Sequence, residues 1–176
     1  MLLFIEHFYC SVARTSYDVS KISLCWAIGM IFATVGTTHF DELIESIDKI
    51  ALKLNDEVII QAGNHKYIPK YCKYFGFDND LVKYFHNADI VVAHGGAGIT
   101  FEVLNMGKKL ISVENPHVLD CHQGDLLGKL SQEGYLLWCR DLNGLESIIE
   151  EVRSSQLKKY VRPECEIGKL LLRWLR

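Results

Sequence analysis

The chain is 176 residues long, with 49% hydrophobic residues, 23% charged residues and a formal net charge of −3 at pH 7. These values fit one folded domain with a substantial core and exclude a disordered chain. The weakly acidic balance gives no electrostatic argument for nucleic acid, so no nucleic-acid partner is expected. The six cysteines form no C-x-x-C pair, which favours free thiols over a zinc or disulfide framework.

The apolar run from Ile22 to Val35 spans fourteen residues, whereas a membrane-spanning helix needs about 20. We therefore predict neither a transmembrane segment nor a signal peptide.

Strand-like and helix-like patterns alternate from Met30 onwards. In chain order they are a strand in "MIFATVG", a helix in "THFDELIESIDKIALKL", and strands in "EVIIQAG" and Tyr71–Phe77. A helix in "DNDLVKYFHNA", a strand in "DIVVAHGG" and a helix in "GITFEVLNMG" follow. The last four are a strand in "KKLISVEN", a helix in "DCHQGDLLGKLSQEG", a strand in "YLLWCR" and a helix in "NGLESIIEEVRSS". Thr38 is the predicted N-cap of the first helix, with Asp41 and Glu42 in its first turn.

This alternation predicts an α/β fold: a doubly wound, Rossmann-like parallel sheet covered by helices on both faces. The predicted domain covers residues 30–153, with an N-terminal extension, residues 1–29, and a basic amphipathic tail, residues 154–176. Ligands of such sheets bind beyond the carboxyl ends of the strands. The glycines and polar residues that follow the strands should meet there.

The turn "HGGAG", His94 to Gly98, lies between a predicted strand and a predicted helix. Such a turn presents backbone N–H groups at a helix N-terminus, which suits a phosphate group. Glu102, about one helical turn later, suits a ribose diol. The alternative is a tight structural turn, with His94 bonded locally and Glu102 solvated. The spacing is not G-x-G-x-x-G, which disfavours NAD.

The motifs "HGGAGITFEVLNMGKKLISVENP" and "HQGDLLGKL" resemble the nucleotide-sugar site in the C-terminal domain of family 28 glycosyltransferases. "MIFATVGTTHFDELIESID" and "IIQAG" resemble more narrowly the small subunit of two-part enzymes of this family. One such enzyme adds the second N-acetylglucosamine to the lipid-linked precursor of N-glycans. Bacterial exopolysaccharide galactosyl- or glucuronosyltransferases have a similar pair. The resemblance implies the C-terminal, donor-binding half of a GT-B fold.

Site residues follow from the resemblance by position. It implies a diphosphate site, Glu102 at the ribose, and a sugar site at Asn115, His122 and Gln123. The family often has Ser where this chain has Ile99, so Thr100 is expected to replace that hydroxyl. The implied diphosphate-binding residues are Gly36, Thr37, Thr38, His94, Gly95, Gly96, Ala97, Gly98 and Thr100.

The implied mechanism is a single inverting displacement at the anomeric carbon, with no cofactor. The resemblance implies a metal-independent reaction, so no metal is expected. The general base stays unassigned, with His39 and His94 as the catalytic candidates. His39 has an alternative interpretation as a solvated first-turn residue, and His122 and Gln123 as the first turn of a polar helix.

The leading hypothesis is a hexosyltransferase subunit that binds a UDP-sugar, with UDP-N-acetylglucosamine favoured. It would act with a membrane-anchored subunit that holds a lipid-linked diphosphate sugar acceptor. The subunit would then be cytoplasmic and peripheral on the cytosolic face of a membrane. Alternatives are an exopolysaccharide transferase subunit, a nucleotide-sugar epimerase and a non-catalytic regulatory protein that binds nucleotide sugars.

Both ends of the chain lie outside these motifs. Residues 1–29 weakly resemble the last part of the membrane partner, which would indicate a fused or split gene. Alternatively they precede the true start at Met30. The tail from Ser154 carries six Lys and Arg against two Glu and has an apolar stripe that includes Leu171, Trp174 and Leu175. We expect this tail to dock the partner subunit; packing on its own core and membrane adsorption are the alternatives.

Overall fold

The computed structural model describes residues 29–117 and 122–164, with the side chain of His122 excepted. Its strands are β1 (Met30–Thr34), β2 (Glu57–Gln61), β3 (Lys73–Phe75), β4 (Ile90–His94), β5 (Lys109–Val113) and β6 (Leu137–Cys139). Its α-helices are α1 (Asp41–Ala51), α2 (Val82–Asn87), α3 (Ala97–Asn105), α4 (His122–Gln132) and α5 (Leu145–Ser154). A short 3₁₀ helix, Leu142–Gly144, precedes α5.

The strands form one parallel sheet in the order β3-β2-β1-β4-β5-β6. The predicted α/β fold is confirmed. Strands β2 and β3 follow β1 on one side of the sheet, and β4, β5 and β6 follow on the other, so the strand order switches between β1 and β4. Thr34 of β1 pairs there with Ala93 of β4. The loops after these two strands are therefore neighbours at the carboxyl edge, which is the usual ligand position in such sheets.

Apolar residues of the central strands fill both faces of the sheet. Ile31 and Ala33 belong to a core formed with α1 and α5. Phe32, between them, points to the other face and packs with Phe85 of α2 and with residues of α3 and α4. This period-2 alternation in continuous apolar runs is what a sheet covered on both sides requires.

The start of α1 differs from the prediction. The helix begins at Asp41, and Phe40 occupies its N-cap position without a side-chain cap. Thr38 is not the cap, because its hydroxyl donates to the carbonyl of Val35 at 2.8 Å and closes the turn after β1. Phe40 is 1% exposed, so its burial in the core is what sets the start of the helix.

The first part of the predicted tail packs on the sheet domain. The N–H of Lys158 donates to the Gly134 carbonyl at 2.9 Å. The Tyr160 ring lies 5.6 Å from Phe101 and 5.5 Å from Tyr135. Residues 1–28, 118–121 and 165–176 lie outside the described residues, and with them most of the predicted extension and the apolar stripe of the tail. Within the described part, no helix is long and apolar enough to cross a membrane.

Candidate functional site

The turn between β4 and α3 presents a free helix N-terminus to solvent. Gly96 is the N-cap, in an extended conformation, and no side chain caps the helix. The first N–H groups of α3, on Ala97, Gly98 and Ile99, therefore have no partner within the helix. Ala97 and Gly98 are exposed. This is the arrangement that binds anions at helix N-termini.

The glycines of this turn serve two purposes. A Cβ on Gly95 would lie 2.7 Å from Cδ1 of Leu127, and one on Gly96 would lie 2.5 Å from Nε2 of His94. Packing therefore requires glycine at both positions. A Cβ on Gly98 would meet nothing within 4 Å. Neither packing nor a positive φ explains Gly98, which leaves open space above the N-terminus of the helix.

His94 fills the gap between two glycine loops. It is 8% exposed, and a Cβ on Gly36 would approach its Cε1 to 2.7 Å. Its Nε2 edge therefore faces both loops. Burial lowers the pKa of His94, and the Thr34 backbone opposes that shift only in part. The imidazole is accordingly neutral at physiological pH and can donate one hydrogen bond, but it carries no positive charge.

The side chain of Gln61, at the end of β2, forms hydrogen bonds with the loop after β1. Gly36 has φ of +62°, a conformation that favours glycine. Its N–H donates to Gln61 Oε1 at 3.0 Å, and its carbonyl accepts from Gln61 Nε2 at 2.8 Å. The same amide donates to the Gly76 carbonyl and accepts from the Thr34 hydroxyl.

These bonds limit which backbone groups of the predicted diphosphate site can reach a phosphate. The Gly36 N–H is occupied by Gln61 and Thr34, and the Thr38 N–H by the Val35 carbonyl at 3.2 Å. Neither N–H is available to a phosphate oxygen. In this loop Thr37, which is exposed, keeps a position from which it can reach a ligand.

Thr100 and Glu102, two of the predicted site residues in α3, lie on opposite sides of the helix. Thr100 is fully buried on the side that carries Val103 and Leu104, and its hydroxyl has no hydrogen-bond partner within the described residues. Its expected contact with a phosphate stays a prediction. Glu102 is exposed, and its carboxylate makes no hydrogen bond or ion pair within the described residues. Its role at a ribose stays a prediction.

The predicted sugar-binding residues differ in burial and in hydrogen bonding. Asn115 is 2% exposed, and its amide donates to the His39 carbonyl at 3.1 Å and accepts from the His117 N–H at 2.9 Å. These bonds join two loops, and the role of Asn115 at a sugar stays a prediction. Oε1 of Gln123 lies beside Gly95, 3.1 Å from where a Cβ would stand. His122 begins α4, and its side chain lies outside the described residues.

A cavity of about 680 Å³ lies away from this site. Its walls include Lys108, Lys109, Tyr135 and residues 155–160, at the amino edge of the sheet where β5 begins. The ammonium groups of Lys108 and Lys109 are bonded to the carbonyls that end α2 and α5. Among the residues that the structure describes, no group of three or more His, Cys, Asp and Glu side chains is suited to a metal ion.

Comparison with known proteins decides the family. The model of the glycosyltransferase family 28 C-terminal domain matches residues 30–170. The chain belongs to this family. The resemblance read from the sequence is thus confirmed.

Named relatives of this family 28 domain are identical to it at about a third of the aligned residues. UDP-N-acetylglucosamine transferase subunit ALG13 of Homo sapiens is 34% identical over 122 residues, which are 62% of this chain and 11% of the relative. ALG13 of Debaryomyces hansenii is 31% identical over 104 residues, 59% of this chain and 45% of the relative. The chain thus spans about a tenth of the human relative and less than half of the yeast one.

Solved structures support the fold of the family 28 domain. An NMR structure of ALG13 has a TM-score of 0.53 at 18% identity and covers 82% of this chain and 94% of that one. Acinetobacter baumannii MurG has a TM-score of 0.57 at 19% identity, with 70% and 41% covered. At this identity the likeness concerns the fold alone, the C-terminal half of a GT-B enzyme.

Two buried polar residues of the family 28 domain escaped the sequence analysis. Gln61 was taken only as part of the strand "EVIIQAG". Asp48, on α1, is fully buried and accepts hydrogen bonds from the N–H groups of Lys70 and Tyr71 and from the Tyr67 hydroxyl. Burial by itself would raise the pKa of Asp48, but these bonds outweigh it and the net pKa is lowered. Gln61 and Asp48 are polar residues at core positions of β2 and α1, and that exception to the apolar pattern is the sequence signal that could have identified them.

Two histidines, His39 and His117, lie close together at the carboxyl edge of the sheet. His39 precedes α1, and its Nδ1 lies 3.0 Å from the Asn64 carbonyl. His117 follows β5, and its Nε2 lies 2.9 Å from Oε1 of Glu42. The two rings are 6.2 Å apart. The sequence alone indicates no role for His117, whereas it allows a catalytic and a solvated role for His39.

Proposed function

We propose that this chain is the donor-binding part of a hexosyltransferase that transfers N-acetylglucosamine from its UDP-sugar, with inversion, to a lipid-linked sugar acceptor. Its assignment to the glycosyltransferase family 28 C-terminal domain supports the reaction class. The names of its ALG13 relatives, which are subunits of a UDP-N-acetylglucosamine transferase, support the donor and a partner subunit. The observation that carries the proposal is the uncapped N-terminus of α3, with open space above Gly98.

The leaving group explains why such a helix terminus is useful. As the bond from the anomeric carbon to the diphosphate breaks, negative charge grows on the diphosphate oxygens. The N–H groups of Ala97, Gly98 and Ile99, together with about half a unit of positive charge from the helix dipole, oppose that growth. Neutral His94 adds one hydrogen-bond donor. These groups are fixed before the reaction, so stabilising the charge requires no rearrangement.

Glu102 is the proposed ribose ligand because it is exposed, unpaired within the described residues and one turn beyond Gly98. Glu102→Ala should weaken UDP binding by about 1–3 kcal/mol, or about 5- to 150-fold, the usual cost of losing hydrogen bonds to a charged group. Calorimetric titration of the chain with UDP measures this. Glu133→Ala, which removes an exposed carboxylate just after α4, is the matched control and should bind UDP as the wild type does.

Titration with 2′-deoxy-UDP tests the ribose contact specifically. Wild-type protein should prefer UDP to 2′-deoxy-UDP, and Glu102→Ala should lose that preference. An unchanged preference in the variant would show that Glu102 does not contact the ribose. Titration with the UDP forms of N-acetylglucosamine, galactose and glucuronate separates the leading donor from the exopolysaccharide alternative.

A membrane-anchored, acceptor-binding partner is the other part of the proposal, and would hold the chain at the cytosolic face. We expect removal of residues 167–176 to leave UDP binding intact and to abolish co-purification with that partner. A truncated chain that binds UDP and still co-purifies would show that another surface docks the partner. If wild-type chain and partner together transfer no sugar, the regulatory alternative is favoured.

A further inference from the structure

His39 has one ring nitrogen fixed and the other available. Nδ1 lies 3.0 Å from the Asn64 carbonyl oxygen. A carbonyl only accepts hydrogen bonds, so Nδ1 must carry the proton of the neutral ring. The lone pair is therefore on Nε2. The side chain is 42% exposed, so that a substrate hydroxyl can approach it.

Asp41 stands where it stabilises a proton on Nε2. Its Oδ2 lies 3.7 Å from that nitrogen, too far for a hydrogen bond but suitable for an ion pair once the imidazole is protonated. The carboxylate is itself oriented by the Lys66 N–H, which donates to both of its oxygens at 3.0 and 3.1 Å. A histidine with a fixed tautomer and a carboxylate for its protonated form is the arrangement of a general base.

Hydrogen bonds link the backbone of His39 to the candidate diphosphate site. The backbone carbonyl of His39 accepts from the buried amide of Asn115. The Asn115 N–H in turn lies 3.4 Å from Oε1 of Gln123, which borders Gly95 of the phosphate turn. Asn64 follows Gly63, whose N–H donates to the Gly76 carbonyl at 3.0 Å. Both loops that orient the imidazole thus belong to the same network as the candidate diphosphate site.

His117 provides a contrast at the same edge. Its ring lies 6.2 Å from His39, but its Nε2 is engaged by Oε1 of Glu42 at 2.9 Å. A backbone hydrogen bond and that contact lower the pKa of Glu42, which therefore stays ionised. Among the residues that the structure describes, Asp41, Glu42 and His117 are the titratable groups recorded next to His39. Of the two histidines, His39 is the one whose Nε2 has no hydrogen bond there and has a carboxylate placed for its conjugate acid.

We propose that His39 is the general base of the transfer reaction, a role that rests on the proposed function. The acceptor O–H bond breaks and its proton goes to Nε2. The acceptor oxygen forms the new bond to the anomeric carbon, and the bond from that carbon to the diphosphate breaks. The electron pair of that bond leaves with UDP. The donor-binding chain thereby supplies both the leaving-group site and the base, while the partner holds the acceptor.

His39→Asn tests this in the complex of the full chain with its acceptor-binding partner. The Asn amide can still donate to the Asn64 carbonyl, so the loop should persist, but it has no basic nitrogen. We expect kcat to fall by about 100-fold or more, the usual contribution of a general base. The acidic limb of the kcat–pH profile should disappear. The Kd for UDP and the KM for acceptor should change less than about twofold, as expected for a role confined to the transition state.

His117→Asn is the control, and its kcat should stay within about threefold of the wild type. His39→Asn with kcat in that same range overturns the base assignment and leaves the proposed function standing. An equal loss in both variants, or a loss of UDP affinity as large as the loss of kcat, also overturns it, because the imidazole would then be structural. A wild-type complex that binds no UDP and transfers no sugar overturns the proposed function itself, and the base with it.

Discussion

Gln61 holds the glycine loop after β1, and its removal should affect stability and binding together. The side chain is 2% exposed and makes four hydrogen bonds: with the Thr34 hydroxyl, the Gly36 N–H, and the carbonyls of Gly36 and Gly76. Gln61→Ala deletes all four and leaves buried polar atoms of the backbone without those partners. Leaving a buried polar group without a partner destabilises a protein by more than the net stabilisation that its hydrogen bond had provided.

The size of the effect follows from these bonds. At about 1 kcal/mol each, four bonds amount to about 4 kcal/mol of the free energy of unfolding. A domain of this size is typically stable by about 5–15 kcal/mol, so the variant should still fold. Gly36 also packs against His94, and a Cβ there would stand 2.7 Å from the ring. Loosening the loop should therefore release the imidazole and weaken UDP binding by about tenfold or more.

Urea unfolding and UDP titration measure the two consequences. Gln132→Ala is the matched control, since Gln132 is exposed at the end of α4 and should change stability by less than about 0.5 kcal/mol. A Gln61→Ala protein with the stability of that control, or with wild-type UDP affinity, would refute the view that Gln61 positions the site.

Two further substitutions separate packing from binding, and a third tests pH dependence. Gly96→Ala places a Cβ 2.5 Å from His94 and should cost about 1–3 kcal/mol of stability. Gly98→Ala meets nothing and should keep or slightly raise stability while weakening UDP binding; equal effects of both on thermal unfolding would contradict this. Asp48→Asn should lose about 2–3 kcal/mol at pH 7. Because the pKa of Asp48 is lowered in the folded state, its contribution is present above the ordinary value of 3.8 and vanishes as pH falls below it; a gap to wild type that stays constant in unfolding between pH 7 and 3 would argue against this.

The fold could be predicted because the strands have recognisable patterns in their local sequence. Runs such as Ile90–Ala93 are apolar throughout and are followed within two residues by glycine, and α1 has regular 3/4 spacing. Alternation of the two fixes a parallel sheet and thereby the edge where ligands bind. The open turn at Gly98 followed from that pattern alone.

The bonding of the site residues could not be predicted, because it depends on contacts between distant segments. Nothing around Gly36 reveals that Gln61, 25 residues away, occupies its N–H. Asn115 is an expected sugar ligand, and its amide donates to the His39 carbonyl 76 residues away. Thr100 is an expected phosphate ligand, and its side chain is buried in the core. Which polar atoms are already satisfied depends on the packed structure and not on local sequence.

We propose that the N-terminus of α3 binds the diphosphate of a nucleotide sugar. Amide NMR spectra of the full chain, recorded while UDP-N-acetylglucosamine is added to millimolar concentration, test it most directly. We predict saturating shifts that are largest at the Ala97, Gly98 and Ile99 amides and much smaller in Gly98→Ala. No shifts at millimolar ligand, or shifts centred on Lys158–Tyr160 at the opposite edge of the sheet, would contradict the account.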